Sequence, residues 1–110
     1  MRLEDFTLVE SFFKDVGITP NWLYALANGE TFIYGECLLN YYKLDGILVI
    51  NSGSVGNSKF NKSILAHIRR VIESHRCVII SSSAESISEH MVARYGFIYD
   101  KETLTYRKGI

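Results

Sequence analysis

Proline occurs once, at position 20, and cysteine only twice in 110 residues. With no Cys-x-x-Cys and no Cys/His cluster, neither a disulfide framework nor a zinc site organises the chain, and Cys37 and Cys77 read as reduced, buried thiols. An excess charge of either sign is also missing: twelve basic and twelve acidic side chains cancel. The phosphate backbone of a nucleic acid and an anionic membrane surface both demand a basic field, so the balance argues against non-specific nucleic-acid binding and membrane attachment, and no specific nucleic-acid partner is expected. No run approaches the roughly 20 apolar residues that span a bilayer, and the opening MRLEDFTLVE is too acidic for a signal peptide. The expectation is a cytoplasmic protein without a metal site.

What is present is ordinary for a folded chain: 47% hydrophobic and 22% charged residues, enough for one domain over residues 1–110 with one core. Seven tyrosines and six phenylalanines are many for this length. They suit core packing, and equally an aromatic surface facing another protein.

The N-terminal third carries helical periodicity. Phe6, Val9, Phe13 and Val16 recur at three- and four-residue spacing between a possible Asp5 cap and Gly17. Thr19-Pro20 then opens a second short helix with Trp22, Leu23 and Leu26 as its apolar face, stopped by Asn28-Gly29. Strand-like runs follow at Thr31 to Tyr34, Cys37 to Tyr42 and Gly46 to Ile50, joined by short turns. Ile64, Leu65, Ile68, Val71 and Ile72 predict a helix that buries one face and leaves Lys62, His67, Arg70 and Glu73 in water. Cys77 to Ile80 reads as a strand buried on both faces. Ser82 and Glu85 have capping-box spacing for a further helix through Ile87, Met91 and Tyr95, closed by Gly96. The tail alternates as a hairpin, with Phe97 and Tyr99 before Asp100-Lys101-Glu102 and Leu104 and Tyr106 after it. The order α-α-β-β-β-α-β-α-β-β predicts an α/β fold.

Between the third strand and the long helix lies SGSVGNSKFN, Ser52 to Asn61. Glycine and serine in that position can aim backbone N–H groups at an anion, where the helix dipole also favours negative charge.

The element order, with the phrase EHMVARYGFIYDKETLTYRKG, resembles the GNAT superfamily of acyl-CoA N-acyltransferases over roughly residues 30 to 110. The resemblance implies a three-layer α/β/α domain with a mixed, mostly antiparallel sheet. In active members, a Gln/Arg-x-x-Gly-x-Gly/Ala loop lets backbone amides approach the coenzyme A pyrophosphate. On this chain that loop falls on Gly56, Asn57, Ser58, Lys59, Phe60 and Asn61, so its two small positions are occupied by Lys59 and Asn61. The family's tyrosine acid, which protonates the departing thiolate, is replaced by Val92, with Tyr95 three residues later. Apolar spacing with Ile87 and Met91 favours a core role for Tyr95. No acid or histidine lies in Gly46 to Asn51 to act as base; Glu36 and Asp45 are the nearest carboxylates, both at predicted turns.

Lys59-Phe60-Asn61-Lys62, together with Ser83 to Ile87 leading to Gly96-Phe97, is also similar to small GNAT-like proteins encoded by short-tailed phages. The joint departure of loop, acid and base implies a GNAT-fold protein of phage or mobile-element type. It would lack acetyltransferase activity and a cofactor, and would work through protein contacts in a virion, in morphogenesis or on a host factor. A homodimer through the sheet edge near Tyr41 and Tyr42, or near the terminal hairpin, fits that reading. The alternative is a small acetyl-CoA-dependent N-acetyltransferase with an irregular loop. In it, amides of residues 53 to 61, including Gly53, would hold the pyrophosphate, Lys59 and Lys62 would neutralise it, Ile50 or Asn51 would orient the pantetheine, and Tyr95 would be the acid.

Overall fold

The computed structural model describes residues 20–54, 62–81 and 93–110, together with Glu10. Over these residues the protein is a mixed α/β fold. Helix α1 spans Pro20–Asn28, followed by strands β1 (Glu30–Tyr34), β2 (Cys37–Leu44) and β3 (Ile47–Ser54). Helix α2 (Lys62–Glu73), β4 (Val78–Ser81), β5 (Ile98–Asp100) and β6 (Thr105–Lys108) complete the set. Ala93 to Tyr95 are helical just ahead of Gly96. The first predicted helix, at Phe6 to Val16, and most of the one between Ser82 and Tyr95 lie outside the described residues.

The six strands form one sheet in the order β1-β2-β3-β4-β6-β5. Four of its five pairings are antiparallel; β3 and β4 run parallel, with α2 as the crossover between them. Local chemistry explains the two tight hairpins. Tyr34 pairs with Cys37 across Gly35-Glu36, and Gly35 takes φ +63°, the left-handed value that a type II′ turn needs at its first central position. Leu44 pairs with Ile47 across Asp45-Gly46, both at positive φ, which is the Asp-Gly type I′ turn whose twist matches that of the flanking strands.

Strand alternation assigns the two faces. Phe32, Tyr34, Leu39, Tyr41, Leu48, Ile50, Val78, Ile80 and Tyr106 point to the side where α2 packs Ile64, Ile68, Val71 and Ile72 into the main core. Each of those four helix side chains is worth roughly 1.5–3 kcal/mol when fully buried. Their 3.6-residue spacing therefore decides which way the helix faces. The end of α2 is closed from the sheet: Lys108 Nζ donates to the carbonyls of Ile72 and His75, each at 3.3 Å, and Ser74 Oγ donates to Val71 O at 3.0 Å. These contacts satisfy orphan carbonyls and put a cation at the negative end of the helix dipole.

Helix α1 lies on the other face. Asn40, fully buried, donates from Nδ2 to Ala25 O at 2.9 Å and to Thr31 Oγ1 at 3.1 Å. Ala25 is fully buried and Trp22 and Leu26 of the expected face are half-buried, whereas Leu23 is 54% exposed, so the seated face turns away from Leu23 and toward Ala25. A small residue there lets the helix backbone approach β2, and the approach is close enough that a Cβ on Gly29 would meet Tyr41 O at 2.6 Å.

Three further boundaries differ from expectation. Strand β3 continues through Ser54, so Ser52, Gly53 and Ser54 belong to the sheet and not to the connecting loop. The apolar run ends at Ile50, but β2 supplies hydrogen-bond partners four residues further. Leu104 stands in the last turn at φ +55° and is 59% exposed, instead of alternating within a strand. There Asp100 organises the chain, accepting from the Glu102 N–H and from the Thr103 hydroxyl, both at 3.0 Å. Finally, Tyr41 is not at a sheet edge, since it pairs with Glu30 and with Ile50; only beyond it do Tyr42 to Leu44 pair with β3 alone.

Asn40→Ala tests the α1 contact. It removes the second donor to the Ala25 carbonyl, which keeps the Gly29 N–H at 2.9 Å, and the donor to the Thr31 hydroxyl, while also removing the buried Asn40 Oδ1 that has no partner of its own. The two effects oppose, and the expected net loss is about 1–2 kcal/mol, read as a lower urea midpoint at unchanged m-value.

Candidate functional site

The residues expected to hold a coenzyme divide between the end of β3 and the start of α2. Ile50 is buried in the core on the α2 face; Asn51 and Gly53, opposite Asn40 and Leu38, are half-buried on the other face. Lys62 is the first residue of α2 and is exposed. Gly56, Asn57, Ser58, Lys59 and Asn61 lie outside the described residues.

One backbone feature at this end has chemical potential. The parallel pairing of β3 with β4 stops at Ile50↔Ile80, whereas β3 stays paired with β2 up to Ser54↔Cys37. Among the described residues no strand covers the β4-side edge of residues 51–54. Unpaired N–H and C=O groups there are able to bond an extended, amide-bearing ligand.

Tyr95 is elsewhere. Its ring packs against the main core, and its hydroxyl donates to Glu73 Oε1 at 2.6 Å. Burial, then the Glu73 carboxylate, pushes its phenol above the ordinary tyrosine range. Glu73 is the last residue of α2 and Lys62 the first, about 16 Å apart at 1.5 Å per residue. The structure therefore brings Ile50, Asn51 and Gly53 to one end of the sheet and puts Tyr95 at the opposite end of α2. The carboxylates separate too. Glu36 is exposed in the β1–β2 turn, beside Cys37 and hence near Ser54, whereas Asp45 sits in the β2–β3 turn at the far end of β3.

A second constellation was not foreseen. His67, expected in water on the polar face of α2, is half-buried over the outer strands. Tyr34 Oη lies 2.6 Å from its Nδ1 and Tyr41 Oη 3.3 Å from its Nε2. Phe32 meets the imidazole edge-on at 4.5 Å and stacks on Tyr41 at 5.5 Å. Helical period alone places residue 67 away from the stripe of Ile64 and Ile68. The outer strands extend past that stripe, so a residue on its flank is covered as well. The available signal was the alternation of Phe32 and Tyr34 with Leu39 and Tyr41, which puts four large rings on the helix side of β1 and β2.

Electrostatics follows from this packing. Burial, then the Arg70 guanidinium one turn along the helix, lowers the His67 pKa, while Glu30 opposes both. Tyr41 is raised, first by burial and then by the Glu30 carboxylate beside it. Next to Tyr41 lies a cavity of about 240 Å³ whose walls include Asn28, Glu30, Lys43, Leu48 and His75.

Among the described residues no group of three or more His, Cys, Asp or Glu side chains is placed to hold a metal ion, and no helix is long and apolar enough to cross a membrane. Cys37 is buried in the core, and the Cys77 thiol donates to Gly109 O at 3.2 Å.

His67 yields a pH prediction. A folded-state pKa below the unfolded 6.5 means that the unfolded chain binds more protons as pH falls, so the His67 contribution is present above that value and is lost through the lower, folded one. Among the described residues, the titratable and charged groups facing the ring are Tyr34, Tyr41 and Glu30 from the sheet and Arg70 from its own helix. Between pH 7.5 and 5, wild-type stability in urea is expected to fall more steeply than that of His67→Gln. Equal slopes would remove His67 from the pH response.

Compared with family models, curated proteins and solved structures, this chain finds no match in any of the three.

Proposed function

We propose that this chain is a GNAT-like domain that does not transfer acetyl groups and acts through protein contacts, in a phage or mobile-element setting such as a virion, its morphogenesis or a host interaction. The fold reading is supported by the mixed, mostly antiparallel sheet, by the β-β-β-α-β order with a parallel β3/β4 pair spanned by α2, and by the closing β5–β6 hairpin. Helices on both faces fit a three-layer α/β/α arrangement.

One observation carries the loss of chemistry. The only tyrosine offered as thiolate acid, Tyr95, is hydrogen-bonded to Glu73 at the end of α2 remote from Lys62, where no thioester anchored near residues 51–62 would present its sulfur. The absence of a carboxylate or histidine on β3 fits the same reading.

Surfaces suited to protein contact exist on either side of the sheet. Pro20, Tyr24, Tyr42 and Leu44 line a shallow apolar recess of about 360 Å³, and Leu23 beside Tyr24 is exposed as well. At the other end of the sheet the edge strand β5 exposes Ile98 and Tyr99, so a second copy pairing along β5 is the dimer this reading favours.

A second reading, an acetyl-CoA-dependent N-acetyltransferase, is favoured by the edge of residues 51–54, which no strand covers on the β4 side among the described residues and which could offer backbone groups to a pantetheine arm. Thermal-shift and calorimetric titration with acetyl-CoA separate the two. The proposal expects no rise in melting temperature at millimolar coenzyme and no acetylated amine product. Micromolar binding accompanied by turnover would overturn it in favour of the second reading.

A further inference from the structure

The Tyr34–His67–Tyr41 cluster has the arrangement of a nucleophile, a base and an orienting group. A neutral imidazole offers one donor and one acceptor. In the tautomer that carries its hydrogen on Nε2, His67 donates to Tyr41 Oη, the hydroxyl of the residue paired with Glu30 in the β1–β2 ladder. Nδ1 is then left as the acceptor for the Tyr34 hydroxyl, in agreement with the short 2.6 Å contact there against 3.3 Å on the other side. Each group comes from a different element, Tyr34 from β1, Tyr41 from β2 and His67 from α2, so the geometry is held by the sheet and not by a loop.

We propose that Tyr34 is an activated nucleophile that accepts an acyl group from a thioester or other activated neutral ester, with His67 as its general base and Tyr41 as the positioning residue. In the step, Tyr34 Oη bonds to the acyl carbon, its proton passes to His67 Nδ1, and the bond from the acyl carbon to the leaving group breaks. The resulting imidazolium gives up a proton to solvent on the Tyr41–Glu30 side, and the leaving group takes one from solvent. The surroundings select the substrate class. Phe32 and Tyr41 wall the imidazole with apolar rings, which favours an uncharged acyl donor. This site is independent of whether coenzyme A binds at the end of β3, because its members lie on the outer strands and on the flank of α2.

N-acetylimidazole, a small neutral acyl donor, tests the assignment, with the acetylated tyrosines located by peptide mass mapping. Tyr99 is the internal standard: it is 42% exposed and its ring lies against Tyr106, with no histidine partner among its described contacts. Tyr34, although half-buried, is expected to be acetylated about tenfold faster than Tyr99, well within what a positioned base supplies. His67→Gln should abolish that advantage and leave Tyr99 unchanged. In the wild-type protein the Tyr34 rate should rise with pH through the imidazole titration and then flatten, an inflection the Tyr99 rate should lack. That profile needs no variant and decides the matter even if His67→Gln is poorly folded. Slower labelling of Tyr34 than of Tyr99, indifference to His67→Gln, or a Tyr34 profile without an imidazole inflection would each overturn the proposal.

Discussion

The eight-pair antiparallel ladder between β2 and β3 is the constraint on which the other contacts depend. It fixes the alternation that points Leu39, Tyr41, Leu48 and Ile50 to the α2 side and Leu38 and Asn40 to the α1 side. A slip of one residue would exchange the faces and put Asn40 into the apolar core. From this ladder β1 is placed by the Gly35 turn, α1 by the Asn40 amide on Ala25 O, and β4 by its parallel pairing as far as Ile50↔Ile80. Among the described residues the ladder also runs four residues past the last β3–β4 pair, Ile50↔Ile80.

The two ends of α2 have distinct chemistry. At its C-terminus the carbonyls are closed by Lys108, Ser74 and His75, and Glu73 is engaged by Tyr95; this end serves stability. Its N-terminus carries the exposed Lys62, with the helix dipole positive there. Between the two, His67 ties the flank of the helix to the outermost strand, where Phe32 and Tyr34 would otherwise present aromatic rings to water. A half-buried neutral histidine there couples the packing of α2 to pH and at the same time gives Tyr34 a proton acceptor.

Much of the fold was legible from local pattern. The spacing of Ile64, Leu65, Ile68, Val71 and Ile72 marks α2 because burial of a stripe has a helical period, and Asp45-Gly46 marks a hairpin because few other pairs adopt two consecutive positive φ values. Less was legible at the candidate site. The apolar run of β3 ends at Ile50, yet the strand continues to Ser54 on hydrogen bonds to β2 that carry no hydrophobic signature. Leu23, apolar and in phase with Trp22 and Leu26, is nevertheless exposed, since close seating of α1 favoured the small Ala25 at the contact.

Among the described residues, the sequence by itself determined the element types, the two tight hairpin turns and the apolar stripe of α2, because these rest on interactions among residues only a few positions apart. Tertiary structure alone decided that Tyr34 and Tyr41, 33 and 26 residues away from His67, would meet its two nitrogens. It also decided that Tyr95 would reach Glu73, 22 residues away, and not the neighbourhood of residues 51–54. Such meetings depend on strand register and on where a helix lies across the sheet. Those quantities are set by the packing of the whole core, and no short stretch of residues encodes them.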